Sequence, residues 1–198
     1  MQRYLLLVVV LLVSVFALGQ ESQPSSQPKY VQDFAGGGHL KLDLSAGDYA
    51  IRGVEGSKIR VFVTTSKNPE RLKDVKFSTA VAGPNGKLKI SGPHNDIQYT
   101  VELPSHLDLT VRLSAGDLEL RGIEGNQDIE MHAGDLNLHV SRPEQYGNVD
   151  LSVRIGDLNA GPWSVAKGGF VRSFHQTQAG KYKLHAHVGA GDLNVTGE

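Results

Sequence analysis

Leu44–Gly56 reads "LSAGDYAIRGVEG" and Leu113–Gly125 reads "LSAGDLELRGIEG", so one chain carries nearly the same phrase twice. The core of the phrase is Gly-Asp followed by an apolar or aromatic residue. It recurs at Gly47-Asp48, Gly116-Asp117, Gly134-Asp135, Gly156-Asp157 and Gly191-Asp192. The glycines are spaced by 69, 18, 22 and 35 residues. Intervals of 18 and 22 suit single coils of a stacked β-structure, 35 about two coils, and 69 three or more with insertions. Asp-Leu-Asn begins at 135, 157 and 192, which strengthens the repeat. Each coil must turn a corner. Gly allows positive φ there at little steric cost, and Asp tolerates turns and bonds its own nearby backbone. The next residue (Tyr49, Leu118, Leu136, Leu158 or Leu193) then opens an inward row. A single coil cannot bury its apolar face, whereas stacked coils can, with backbone hydrogen bonds running between neighbours.

Outward from these corners the dominant pattern is alternation. Leu40, Leu42 and Leu44 alternate with Lys41, Asp43 and Ser45, and Ile59, Val61 and Val63 follow the same rule. So do Leu107 to Leu113, Val149 to Ile155 and Tyr182 to Val188. Period two places one set of side chains on each face of a strand, one buried and one wet. Only "SKNPERLKD" suggests a helix, of one or two turns, with Asn68 as cap, Pro69 at the first position and Glu70 at the positive end. In "GPNGKLKIS", Asn85-Gly86 signals a hairpin turn, with Leu88 and Ile90 alternating after it.

The chain has 198 residues, a formal charge of -1 and no cysteine. Near-neutral charge argues against electrostatic capture of nucleic acid or an anionic membrane. Without cysteine there is neither a disulfide nor the lipid attachment that needs one. The first 19 residues read as a secretory signal peptide: Arg3, an apolar run Leu5–Leu18 broken only by Ser14, and the small-x-small site Ala17-Leu18-Gly19. That run is shorter than the roughly 20 residues of a membrane-spanning helix. An uncleaved N-terminal anchor is the alternative. Residues 20–29 read as a disordered linker, and residues 30–198 as a single β-repeat domain with no stable membrane span after signal cleavage.

The two Ser-Ala-Gly-Asp phrases, Arg-Gly-Val-Glu-Gly at 52–56, Arg-Gly-Ile-Glu-Gly at 121–125, and Glu102-Leu103-Pro104 before Leu107 together carry a resemblance. From about Gly36 onward the chain resembles the bacterial "putative adhesin" family of β-strand-repeat domains of unknown function. The order matches that family: early repeat, insertion with a hairpin, Leu-Pro phrase, closely spaced repeats. The resemblance implies a β-helix-like fold and an envelope or surface location, and it implies no catalytic residues.

The candidate sites each have a structural reading beside the functional one. Asp48, Asp117, Asp135, Asp157 and Asp192 would repel at coil spacing by roughly 1 kcal/mol in water, and Ca²⁺ would reverse this. A turn-forming role is the simpler reading. His185 and His187 share a strand face, and with His132 or His139 from another coil they would make a Zn²⁺ set, but no local spacing fixes a third ligand. Trp163 and Tyr146 sit in irregular segments, where such residues more often plug the core than bind a partner. There is no G-x-S-x-G, H-E-x-x-H or phosphate loop.

The fold expected is therefore all-β: a β-helix or solenoid-like stack of short strands, with a hairpin and short helix inserted between about Ser66 and Pro104. A β-sandwich is the alternative. The function expected is an exported, non-catalytic module of the bacterial cell envelope, periplasmic, cell-surface or extracellular, for adhesion or scaffolding. No catalytic, cofactor or metal residue is assigned and no cofactor is expected. A surface glycan or envelope protein is the partner class. The alternatives are a regulatory or stress-sensing envelope domain that binds another protein, and an exported glycan-active enzyme. The C-terminal "AGDLNVTGE" has no visible cap, so self-association through that edge is expected.

Overall fold

The computed structural model describes residues 27–197. The predicted leader and most of the linker lie outside them. The described chain begins with β1 (Tyr30–Asp33), β2 (His39–Leu44), β3 (Asp48–Val54) and β4 (Lys58–Thr65), then a 3-10 turn at Pro69–Asp74. It continues with β5 (Lys76–Ala82), β6 (Asn85–Ser91), β7 (Ile97–Pro104), β8 (Asp108–Leu113), β9 (Leu118–Arg121), β10 (Gln127–Ala133) and β11 (Leu136–Val140). The last third holds β12 (Tyr146–Ile155), β13 (Leu158–Ala160), β14 (Val165–Lys167), β15 (Phe170–Thr177), β16 (Tyr182–Ala190) and β17 (Leu193–Gly197).

These strands form two mixed sheets, neither of them closed. The nine-stranded sheet runs β1-β4-β7-β3-β9-β11-β17-β13-β14, and the eight-stranded sheet runs β15-β12-β16-β10-β8-β2-β6-β5. Alternation does what it predicts. Leu40, Leu42, Val111, Ile129, Leu151 and Ala186 of one sheet are buried, as are Ile51, Val101, Leu118, Leu136, Leu158 and Leu193 of the other, all in a single apolar core. With no disulfide available, this burial and the backbone ladders hold the fold.

Strands come in pairs, one in each sheet, joined by a corner: β6/β7, β2/β3, β8/β9, β10/β11, β16/β17 and β12/β13. Within each sheet the six members are parallel, in that spatial order. Antiparallel strands flank them: β4, β1 and β5 at one end, β14 and β15 at the other. The twin phrases are therefore immediate neighbours. Leu44 lies beside Leu113, Tyr49 beside Leu118 and Arg52 beside Arg121, each residue against its own counterpart.

Several expectations need correction. The rungs do not stack in chain order. Corners 134 and 156 are separated by corner 191, so an interval of 22 does not join neighbours, whereas the interval of 69 does. The C-terminal strand is not an edge: β17 lies between β11 and β13, with its backbone bonded on both sides. Uncovered backbone belongs instead to β1, β14, β5 and β15, and β15 also exposes Phe170 and Val171. The segment between Ser66 and Pro104 is only partly an insertion, because β6 and β7 extend the two sheets as a rung of their own. Its helix is a 3-10 turn, and Asn68 makes no side-chain cap there. The hairpin is present, but its turn is Gly83-Pro84, with Ala82 opposite Asn85. Gly83 takes the left-handed φ of 58° that the turn needs, and Asn85-Gly86 starts the returning strand.

Candidate functional surfaces

The corners form a continuous row. Each corner glycine has positive φ, from 112° at Gly116 to 152° at Gly47. The row is tightly packed as well: a Cβ on Gly116 would lie 2.1 Å from the Gly47 carbonyl oxygen, and one on Gly134 2.0 Å from that of Gly116. The aspartates join neighbouring rungs rather than bonding their own backbone. Asp117 N–H donates to Asp48 Oδ1 (3.4 Å), Asp135 N–H to Asp117 Oδ1 (3.2 Å), Asp192 N–H to Asp135 Oδ1 (2.9 Å) and Asp157 N–H to Asp192 Oδ1 (2.8 Å). The row thus has a structural use for its charges, since a carboxylate accepting an amide N–H makes a charge-assisted bond.

The outer face of the nine-stranded sheet carries a second ladder, in which Asn194 Nδ2 donates to Asn137 Oδ1 (3.3 Å) and Asn159 Nδ2 to Asn194 Oδ1 (3.1 Å). Beside it, His139 Nδ1 meets Thr196 Oγ1 at 2.9 Å and its Nε2 lies 3.6 Å from Glu119. Ala50 leaves a shallow open hollow on this face, bordered by Arg52, Thr100, Glu119 and Asn137.

The outer face of the eight-stranded sheet carries charged side chains of both signs along its length. One end holds Lys41, Lys87 and Asp43, with Lys87 Nζ 2.8 Å from Asp43. Burial pushes the Asp43 carboxyl up, but the hydrogen bond from Lys87 and the charges of both lysines outweigh it and hold the pKa below the usual range. The other end gathers Asp128 and Glu130 of β10, His185 and His187 of β16, and Asp150 of β12. Arg112 bridges the two β10 acids, Nη2 to Asp128 at 2.8 Å and Nε to Glu130 at 3.0 Å. Ligand atoms of Asp128, Glu130 and His185 all lie within 4.8 Å of one another. His187 Nδ1 pairs with Ser152 Oγ at 2.9 Å.

The histidine set read from the sequence is therefore only partly assembled. His132 shares this sheet with His185 and His187, but His139 belongs to the opposite sheet. Asp128 and Glu130 were missed. Their alternation marks one strand face, but nothing local shows that β10 neighbours a strand 57 residues further on. Tyr146 is buried as expected, its hydroxyl accepting a 2.6 Å bond from Gln127 Nε2, and burial raises its pKa to about 12. Trp163 packs partly buried against the core beside Phe174.

No family model matches the chain, and no curated protein matches its sequence. Among solved structures, the chain is similar to a "putative cell adhesion protein" from Clostridium sporogenes. The TM-score is 0.55 at 16% identity, over 87% of this chain and 100% of the other. That likeness shows an adhesin-like fold. A "putative adhesin" from Bacteroides fragilis also aligns, with 9% identity over 86% of this chain and 100% of that one, but at a TM-score of 0.29 it adds nothing to the argument. Among the described residues, no helix is long and apolar enough to cross a membrane.

Proposed function

We propose that the chain is an exported, non-catalytic module of the bacterial cell envelope, in which six rungs act as a solenoid-like stack that presents two polar faces for adhesion or scaffolding. The observation that carries this reading is the register. In-register parallel strands align outward side chains into rows that cross several rungs, such as Asn137–Asn194–Asn159. Rows of this kind suit an extended partner such as a glycan chain or a strand-rich protein surface, as stacked-repeat folds commonly do. The fold likeness to a protein named for cell adhesion supports the same reading, and the signal-like N-terminal sequence supports export.

The test uses beads carrying the full chain, mixed with purified bacterial envelopes. Saturable retention, competed by free protein and without new sugar reducing ends, is the expected result. Retention no better than that of albumin-coated beads contradicts a binding role, and new reducing ends would make the chain a glycan-active enzyme instead.

A further inference from the structure

We propose that the outer face of the eight-stranded sheet binds one Zn²⁺-class transition-metal ion through Asp128, Glu130 and His185. Two adjacent strands bring the ligands together. Asp128 and Glu130 lie two residues apart on β10 and so share a face. His185 of β16 stands directly opposite Asp128 in the parallel register. The three ligand atoms already lie within 4.8 Å of one another. Zn²⁺ bonds of about 2.0–2.2 Å require ligand atoms no more than about 4 Å apart, so small side-chain rotations close the set. Imidazole with two carboxylates is a donor set for Zn²⁺ and its neighbours rather than for Ca²⁺, which takes oxygen ligands alone.

The surroundings favour an ion over a plain ion pair. Arg112 approaches from β8, on the side away from β16, and holds one oxygen of each carboxylate. Each acid keeps a second oxygen that Arg112 does not hold. One guanidinium leaves the pair of acids with a net negative charge. Asp150 lies 3.9 Å from His185 Nδ1 across the other strand boundary, too far for a hydrogen bond, and a small side-chain rotation would bring its carboxylate close enough to orient the imidazole. Three protein ligands leave a fourth position for water. This inference is independent of the adhesion reading, since it concerns a different ligand and is read out by metal binding alone.

Isothermal titration of Zn²⁺ into the full chain, free of any histidine tag and at neutral pH, tests it. One saturable equivalent is expected. H185A and the D128N/E130Q pair should each weaken binding by at least about tenfold, a loss of the size seen when metal-site residues are removed. H39A, at the lysine end of the same sheet, should leave it unchanged. R112Q should tighten binding, because it removes a positive charge from beside the ion, which a merely structural arginine would not do. Urea unfolding of each variant checks that the fold is kept. Absence of saturable Zn²⁺ binding in the wild type would overturn the proposal. So would binding unaffected by H185A, or equal binding of Ca²⁺.

Discussion

At a corner such as Gly116, two demands meet on one residue: a φ of 112° that side chains rarely adopt, and a Cβ position 2.1 Å from the Gly47 carbonyl. G116A should therefore cost about 3 kcal/mol or more, from backbone strain and overpacking together. D135A removes only one exposed side chain-to-amide bond, to Asp192, and should cost about 1 kcal/mol or less. Urea unfolding of the two variants measures the difference, and equal losses would contradict this ranking. Buried tyrosines make a second prediction. Unfolded tyrosine ionises near pH 10. Burial, with the nearby Tyr182 and Glu124, holds Tyr146 protonated to about 12, and Tyr49 is pushed up further by burial. Above about pH 10 the unfolded chain sheds protons that the folded chain keeps, so stability should fall as pH rises through this window. In Y146F the fall should be shallower, read from urea midpoints across the same range; an unchanged slope would rule out Tyr146 as a source. At this scale the sequence was largely readable. Gly-Asp marks the corners because the need for positive φ is local, but the carboxylates' true partners lie one rung away and leave no local trace.

At the scale of elements, alternation such as Leu40-Lys41-Leu42-Asp43-Leu44 correctly marks strands and their buried faces, because period two depends on nothing beyond the strand. Neighbour order was not legible from spacing, since coil length says nothing about which coil comes next. Likeness of wording is the better guide. The twin phrases at 44–56 and 113–125 adjoin, and the three Asp-Leu-Asn triplets occupy three adjacent rungs, 135, 192 and 157 in space. Identical residues recur where the same ladder bond must be made with the next rung, as Asn137, Asn194 and Asn159 show. The position of β17 yields a direct prediction. Truncation after Ala190 removes an interior strand and leaves β11 and β13 facing a gap. Cooperative urea unfolding should be lost, whereas an edge strand's loss would only lower the midpoint. A truncated chain that still unfolds in one sharp transition would contradict the interior placement.

For the whole molecule, the decisive feature is that the last rung enters between two that precede it in the chain. β16 and β17 lie between β10/β11 and β12/β13, so these rungs are joined only through contacts distant in sequence. The outer faces follow from the same order, because it alone brings His185 beside Asp128 and Asn194 between Asn137 and Asn159. The absence of native cysteine makes the order open to direct test by introduced pairs. Adjacent strands lie about 4.8 Å apart, within reach of a disulfide, while strands two places apart lie about 9–10 Å apart, beyond it. Under mild oxidation, N137C/N194C and N159C/N194C should cross-link efficiently, and N137C/N159C should not. Efficient closure of 137 with 159, and failure of 137 with 194, would mean that the rungs stack in chain order and would contradict the account.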